Sequence, residues 1–176
     1  NNGMQNQSVL YVRDSLNGAP RVLLDPNSLS KDGSISLKGT FFSKNNKYMG
    51  YSTSKSGSDW TEFFIVDLEK NALIKDHLDW IKFSGMSWHG NGFYYTRYPK
   101  PQKNNQFSGS NENSKVFYHL LGTSQEADEL VFFDPNTPRI SPSVSSSNDE
   151  RFLFLYRSNG TYGNSLFFRD TWNDDE

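Results

Sequence analysis

Three stretches of this chain follow one pattern, and that pattern narrows the fold more than any other feature. They are FFSKNNKYMGYSTS (Phe41–Ser54), GMSWHGNGFYYTRY (Gly85–Tyr98) and SVSSSNDERFLFLYRS (Ser143–Ser158). Each reads as a short strand that reaches a serine, a polar turn, then a strand rich in aromatics. The aromatics that follow the turns, Tyr48, Phe93 and Phe152, lie 45 and 59 residues apart. Units of about 40–50 residues, each a four-stranded antiparallel sheet, build β-propellers. Each copy is followed by a further strand-like run: WTEFFIVDLE (Trp60–Glu69), KVFYHLLGT (Lys115–Thr123) and SLFFRD (Ser165–Asp170). The opening SVLYVRD and RVLLDP, with Asn17-Gly18 between them as a hairpin signal, read as the last two strands of a preceding sheet. The expected fold is therefore all-β, about three to four propeller blades of antiparallel four-stranded sheets. The blade divisions fall at 1–30 (the end of one blade), 36–80, 81–134 and 139–176 (part of a further blade). A meander of strands in a sandwich is the competing architecture.

Composition agrees with strands. Aromatics make up 15% of the chain, with 14 Phe, 9 Tyr and 4 Trp, and such residues suit pleated, half-buried surfaces. Helix competes in one segment, NALIKDHLDWIKF, where Ile74, Leu78 and Ile81 fall at helical spacing. Its strand-rich neighbours favour an outer strand and a connection. The polar run Pro99–Lys115 reads as a long exposed loop.

The chemistry that the residues exclude is broad. With no cysteine there is no disulfide, no thiolate nucleophile and no Cys-based metal site. A net charge of −2 without blocks of one sign gives no footprint for nucleic acid or an anionic membrane. No apolar run approaches the roughly 18 residues that span a bilayer. The start, NNGMQNQSVLYV, has neither an initiator methionine nor the charged-then-apolar pattern of a signal peptide. Ser87 and His89 stand two apart, hence on one face of a strand, and could make a nucleophile and base. Serine recurs at Ser43 and Ser145–Ser147 without histidine, so it is read as a repeated turn cap. No G-x-S-x-G elbow is present. His77, His89 and His119 lack metal-ligand spacing, and Asp174, Asp175 and Glu176 read as a solvated terminal charge run. The aromatic runs Phe93–Tyr95 and Phe152–Phe154 are assigned to packing between sheets rather than to a ligand platform. The turns SGSDW and HGNGF lack the strand-to-helix context of a phosphate cradle. No catalytic residue, metal or cofactor is expected in this chain.

Longer strings resemble a known family. NNGMQNQSVLYVRD, RVLLDPNSLSKDGSISL, SGSDWTEFFIVDL, WIKFSGMSWHGNGFYYTRYP, KVFYHLLGTSQEADELVF and SNDERFLFL resemble, in order over Asn1–Asp170, the N-terminal β-propeller region of the prolyl oligopeptidase (prolyl endopeptidase) family. The stretches Asp25–Gly33 and Ser56–Trp60 are its most specific parts. The resemblance implies part of a seven-bladed propeller set over the mouth of an α/β-hydrolase domain of the same polypeptide. It implies a cytosolic or periplasmic serine peptidase that cleaves short peptides after proline, with its Ser-His-Asp triad outside this chain. The propeller would exclude large folded proteins, and alone it would hydrolyse nothing. The family's K-F-S phenylalanine lines an apolar substrate pocket beyond the proline site, and Phe83 matches it. Where the family often has cysteine shortly after, this chain has Gly85. The alternatives are a stand-alone propeller that binds a ligand, and a part of a related oligopeptidase B or dipeptidyl peptidase. The unsealed sheets of such an arc are expected to self-associate.

Overall fold

A computed structural model of the chain describes residue 3 and residues 5–101 and 111–173. Among these, every regular element apart from two short 3-10 turns is a strand, and all pairing is antiparallel. The first sheet pairs β1 (Leu10–Val12) with β2 (Arg21–Leu24). The second runs in chain order through β3 (Ile35–Phe42), β4 (Tyr48–Lys55), β5 (Thr61–Asp67) and β6 (Ala72–Ile81). The third repeats this with β7 (Ser87–His89), β8 (Gly92–Arg97), β9 (Lys115–Leu120) and β10 (Glu129–Phe132). The last holds β11 (Ser141–Ser146), β12 (Phe152–Ser158) and β13 (Asn164–Asp170). Successive sheets of hairpin-linked strands stacked face to face are the propeller plan.

Alternation along each central strand feeds two cores at once. In β4, Met49 and Tyr51 turn toward the first sheet, where they pack with Val66, Leu10, Leu23 and Leu24. Gly50, between them, turns the other way. A Cβ there would lie 2.0 Å from the Met86 sulfur, so glycine makes the slot that Met86 fills. In β5, Phe63 and Ile65 join Leu78, Ile81, Met86, Trp88, Phe93 and Tyr95 in the core between the second and third sheets. In β8, Phe93 and Tyr95 face that core, while the Thr96 hydroxyl donates to the Pro142 carbonyl of the last sheet at 3.0 Å. A strand covered on both faces must be apolar or hydrogen-bonded at every position, which accounts for the almost continuous burial of β4 and β8.

Two of the three repeated turns are superimposable in chemistry. The Ser43 hydroxyl donates to Asn45 Oδ1 and accepts from the Tyr48 N–H at 2.9 Å, with Asn46 in the left-handed region. The Ser147 hydroxyl does the same with Asp149 and the Phe152 N–H, with Glu150 left-handed. The middle copy departs from the expectation. His89 pairs with Gly92 across a two-residue turn begun by left-handed Gly90, so His89, not Ser87, occupies the position before the turn. The shorter turn leaves Ser87 at the start of β7, two residues before His89, so its hydroxyl does not cap the turn.

The hairpin at Asn17-Gly18 is also wider than a two-residue turn. Residues 13–20 connect β1 to β2, and Gly18 closes a turn by donating its N–H to the Ser15 carbonyl at 3.0 Å. The segment in which helix competed is β6. Asp76 and Leu78 are buried alternately, then Trp80 adopts φ +57° and inserts one extra residue before buried Ile81. A strand with a bulge at that point reproduces the spacing of Ile74, Leu78 and Ile81 that a helix would give. Most of the loop expected over Pro99–Lys115, and the acidic run Asp174–Glu176, lie outside the described residues.

Candidate functional site

The connection from β6 to β7 carries the most unusual backbone in the structure. Trp80 and Phe83 are both left-handed, Phe83 at φ +53°, a region that bulky residues rarely enter. The loop is held at both ends by core residues, Ile81 and Met86. Lys82 is buried, its ammonium 3.1 Å from Asn111 Oδ1 and 4.3 Å from the centre of the Trp60 ring. The Ser84 hydroxyl accepts the Thr96 N–H at 2.8 Å and donates to the Gly85 carbonyl. Between these anchors Phe83 stands 68% exposed. Phe83 belongs to neither buried cluster, so it is not core filling.

Phe83 borders a cleft of about 320 Å³ that it shares with Phe41, Trp88 and the serines of β11. The first strands of three successive sheets, β3, β7 and β11, all contribute to it. Ser87 takes part as a structural link. Its hydroxyl accepts the Ser146 N–H at 2.8 Å and lies 3.3 Å from the Ser146 hydroxyl, which itself donates to the Trp88 carbonyl at 2.6 Å. Ser87 therefore ties the third sheet to the last, with its oxygen committed to Ser146 rather than to His89. His89 lies beside Tyr94, with ring centres 5.6 Å apart. His77 bonds the Glu62 carboxylate at 2.7 Å on the surface.

The third histidine has a different setting, which the sequence did not reveal. His119 is fully buried in β9. Its Nδ1 is 2.7 Å from Asp128 Oδ1 and its Nε2 is 3.2 Å from Asp76 Oδ2, which also accepts the Gly122 N–H. The Tyr95 hydroxyl donates to the other Asp128 oxygen at 2.6 Å. Burial pulls the imidazole pKa down, but hydrogen bonding and charge from Asp128 and Asp76 outweigh it and hold the pKa above its ordinary value. Burial, followed by the bond to Asp128, pushes the Tyr95 phenol strongly up. Asp76 belongs to the second sheet and His119 to the third, so the cluster is an ionic tie across a seam between sheets. Its ring nitrogens and carboxylates are mutually occupied and enclosed, which suits structure and not catalysis.

Among the described residues no three or more His, Asp or Glu side chains are grouped to hold a metal ion, and no helix is long and apolar enough to cross a membrane. The arrangement is that of a propeller arc with an exposed aromatic on the connection between its second and third sheets and no nucleophile–base–acid set on the described residues. Comparison with known proteins makes the class specific. The family model for the prolyl oligopeptidase N-terminal β-propeller domain matches residues 1–176. The prolyl endopeptidase of Elizabethkingia meningoseptica is 40% identical over 174 residues, which is 98% of this chain and 24% of that protein. A dual-function macrocyclase-peptidase of Galerina marginata is 30% identical over 96% of the chain and 26% of its own length. A solved prolyl endopeptidase superimposes with a TM-score of 0.86 at 34% identity, over 98% of this chain and 24% of that one. The chain belongs to the prolyl oligopeptidase family, as part of its N-terminal β-propeller, and spans about a quarter of the length of the curated relatives that it matches.

Proposed function

We propose that this chain is the gating section of a prolyl-specific serine oligopeptidase. In this reading the propeller covers an α/β-hydrolase domain of the same polypeptide, which holds the Ser-His-Asp triad and cleaves short peptides on the carboxyl side of proline. Phe83 reaches across the junction and lines an apolar pocket beyond the proline site. The observation that carries the reading is the Phe83 side chain, held outward by a strained loop beside a cleft lined by the first strands of three sheets. An apolar ring fixed in place binds an apolar residue with little ordering cost, and a narrow arc of packed sheets restricts access to peptides without a folded core.

The test uses the full-length polypeptide on proline-blocked and arginine-blocked chromogenic peptides, with the isolated chain assayed in parallel. The proline substrate should be hydrolysed and the arginine substrate ignored. The isolated chain should cleave neither. Preference for arginine, or turnover by the chain alone, would overturn the proposal.

A further inference from the structure

The ring of Phe41 lies in a slot cut by two missing side chains. A Cβ on Gly39, in its own strand, would stand 3.0 Å from Phe41 Cζ. A Cβ on Gly85, in the β6–β7 loop of the next sheet, would stand 2.7 Å from Phe41 Cε1, closer than side chains tolerate. The backbone at Phe41 is fixed as well, because its carbonyl accepts the Trp88 indole N–H at 3.0 Å. The ring also touches the core, 6.1 Å from the centre of Phe63.

From this seat Phe41 borders two clefts, one of about 320 Å³ and one of about 370 Å³. Phe83, Ser84 and Gly85 border both of them too. Phe41 is thus the common wall of the two spaces that meet at the Phe83 loop. We infer that Phe41 is the second aromatic wall of the Phe83 site, and that Gly85 is the residue that allows it to be there. The inference rests on the reading of Phe83 as a substrate contact. It adds that specificity at this site depends on a pair, Phe41 and Gly85, from two different sheets. Any side chain at position 85 competes with the Phe41 ring for one volume, so the site holds either a ring from β3 or a side chain from the loop.

The experiment compares two peptides in the full-length polypeptide, identical except for phenylalanine or glycine at the position that reaches the Phe83 site. The readout is the ratio of their kcat/KM values, with thermal unfolding as the check on folding. Phe41→Ala should lower that ratio about tenfold, the scale of apolar contact discrimination, and Phe41→Leu should restore part of it. Gly85→Ala should lower the ratio in the same direction while leaving the ring in the protein. Position 85 is not in the left-handed region, so alanine there acts through its Cβ alone, and it carries the test if Phe41→Ala does not fold. Phe83→Ala is the reference. If Phe83→Ala lowers the ratio while folded Phe41→Ala and Gly85→Ala leave it unchanged, the inference falls and the Phe83 reading stands. If the ratio is unchanged in all three, the Phe83 reading falls and this inference falls with it.

Discussion

Burial by itself would strip the proton from His119; the carboxylates on its two ring nitrogens retain it. The groups facing the ring are Asp76 from β6, Asp128 beyond β9, the Tyr95 hydroxyl that shares Asp128, and the ring of Phe93 5.2 Å away. A folded-state pKa above the unfolded value makes the imidazolium a stabilising group. Its contribution is complete below the unfolded pKa, about 6.5, and is lost as pH rises through the folded value. The denaturant midpoint should therefore fall through the neutral-to-alkaline range, and His119→Asn should remove that slope. The variant should also be less stable by about 3–5 kcal/mol at neutral pH, because it strands two buried carboxylates. An unaltered slope in the variant would refute the assignment. None of this was legible in the sequence. The partners stand 43 and 9 residues from His119, and only the stacking of β6 against the third sheet brings Asp76 within reach. Phe83, by contrast, was legible only through the resemblance of its K-F-S string. Its own residues give no sign that the side chain points outward, since a left-handed phenylalanine is a consequence of loop tethering and not of local preference.

At the scale of elements, the repeated strand–turn–aromatic unit was readable because turn chemistry and alternation are local. The Ser43 and Ser147 caps need only four intervening residues with a polar side chain at the second. The middle turn escaped because five residues, not four, separate Ser87 from Phe93, and a two-residue turn puts His89 where the other copies have serine. The outer strand read for β6 is present, and the bulge at Trp80 explains why helix competed there, since one inserted residue gives Ile74, Leu78 and Ile81 the spacing four then three. Packing between elements sets which glycines tolerate change. At Gly92 a Cβ would lie 2.1 Å from the His119 carbonyl oxygen, a backbone atom that cannot move without parting β8 from β9. At Gly50 it would meet the flexible end of Met86. Gly92→Ala should cost about 3 kcal/mol and Gly50→Ala nearer about 1 kcal/mol. Urea denaturation of both variants checks this, and equal losses would mean that the β8–β9 pair yields more easily than its geometry implies.

The described sheets are joined along three seams, two of them apolar and the third tied by the Thr96–Pro142 and Ser87–Ser146 hydrogen bonds, and the outer face and edge of the last sheet are open. Leu166, Phe167 and Phe168 of β13 are exposed, Phe168 by 70%, and among the described residues β13 pairs only with β12. Leu166 and Phe168 share one face of β13 and Phe167 the other, and exposed apolar side chains beside an unpaired strand edge favour association. The purified chain should therefore form dimers or larger species at high concentration in a sedimentation run. Phe168→Lys should shift it toward the monomer. A wild-type chain that sediments as a monomer at high concentration would count against this. The overall architecture was the most legible level, because it depends on the spacing of many weak signals rather than on one contact. One consequence of the two-sided strands bears on how the arc responds to force. Phe41 leans on Phe63, Phe63 on Phe93, and Phe93 on His119. These rings form a continuous row that runs from the cleft wall to the ionic tie between sheets, so a shift of the first ring has to be taken up by the others.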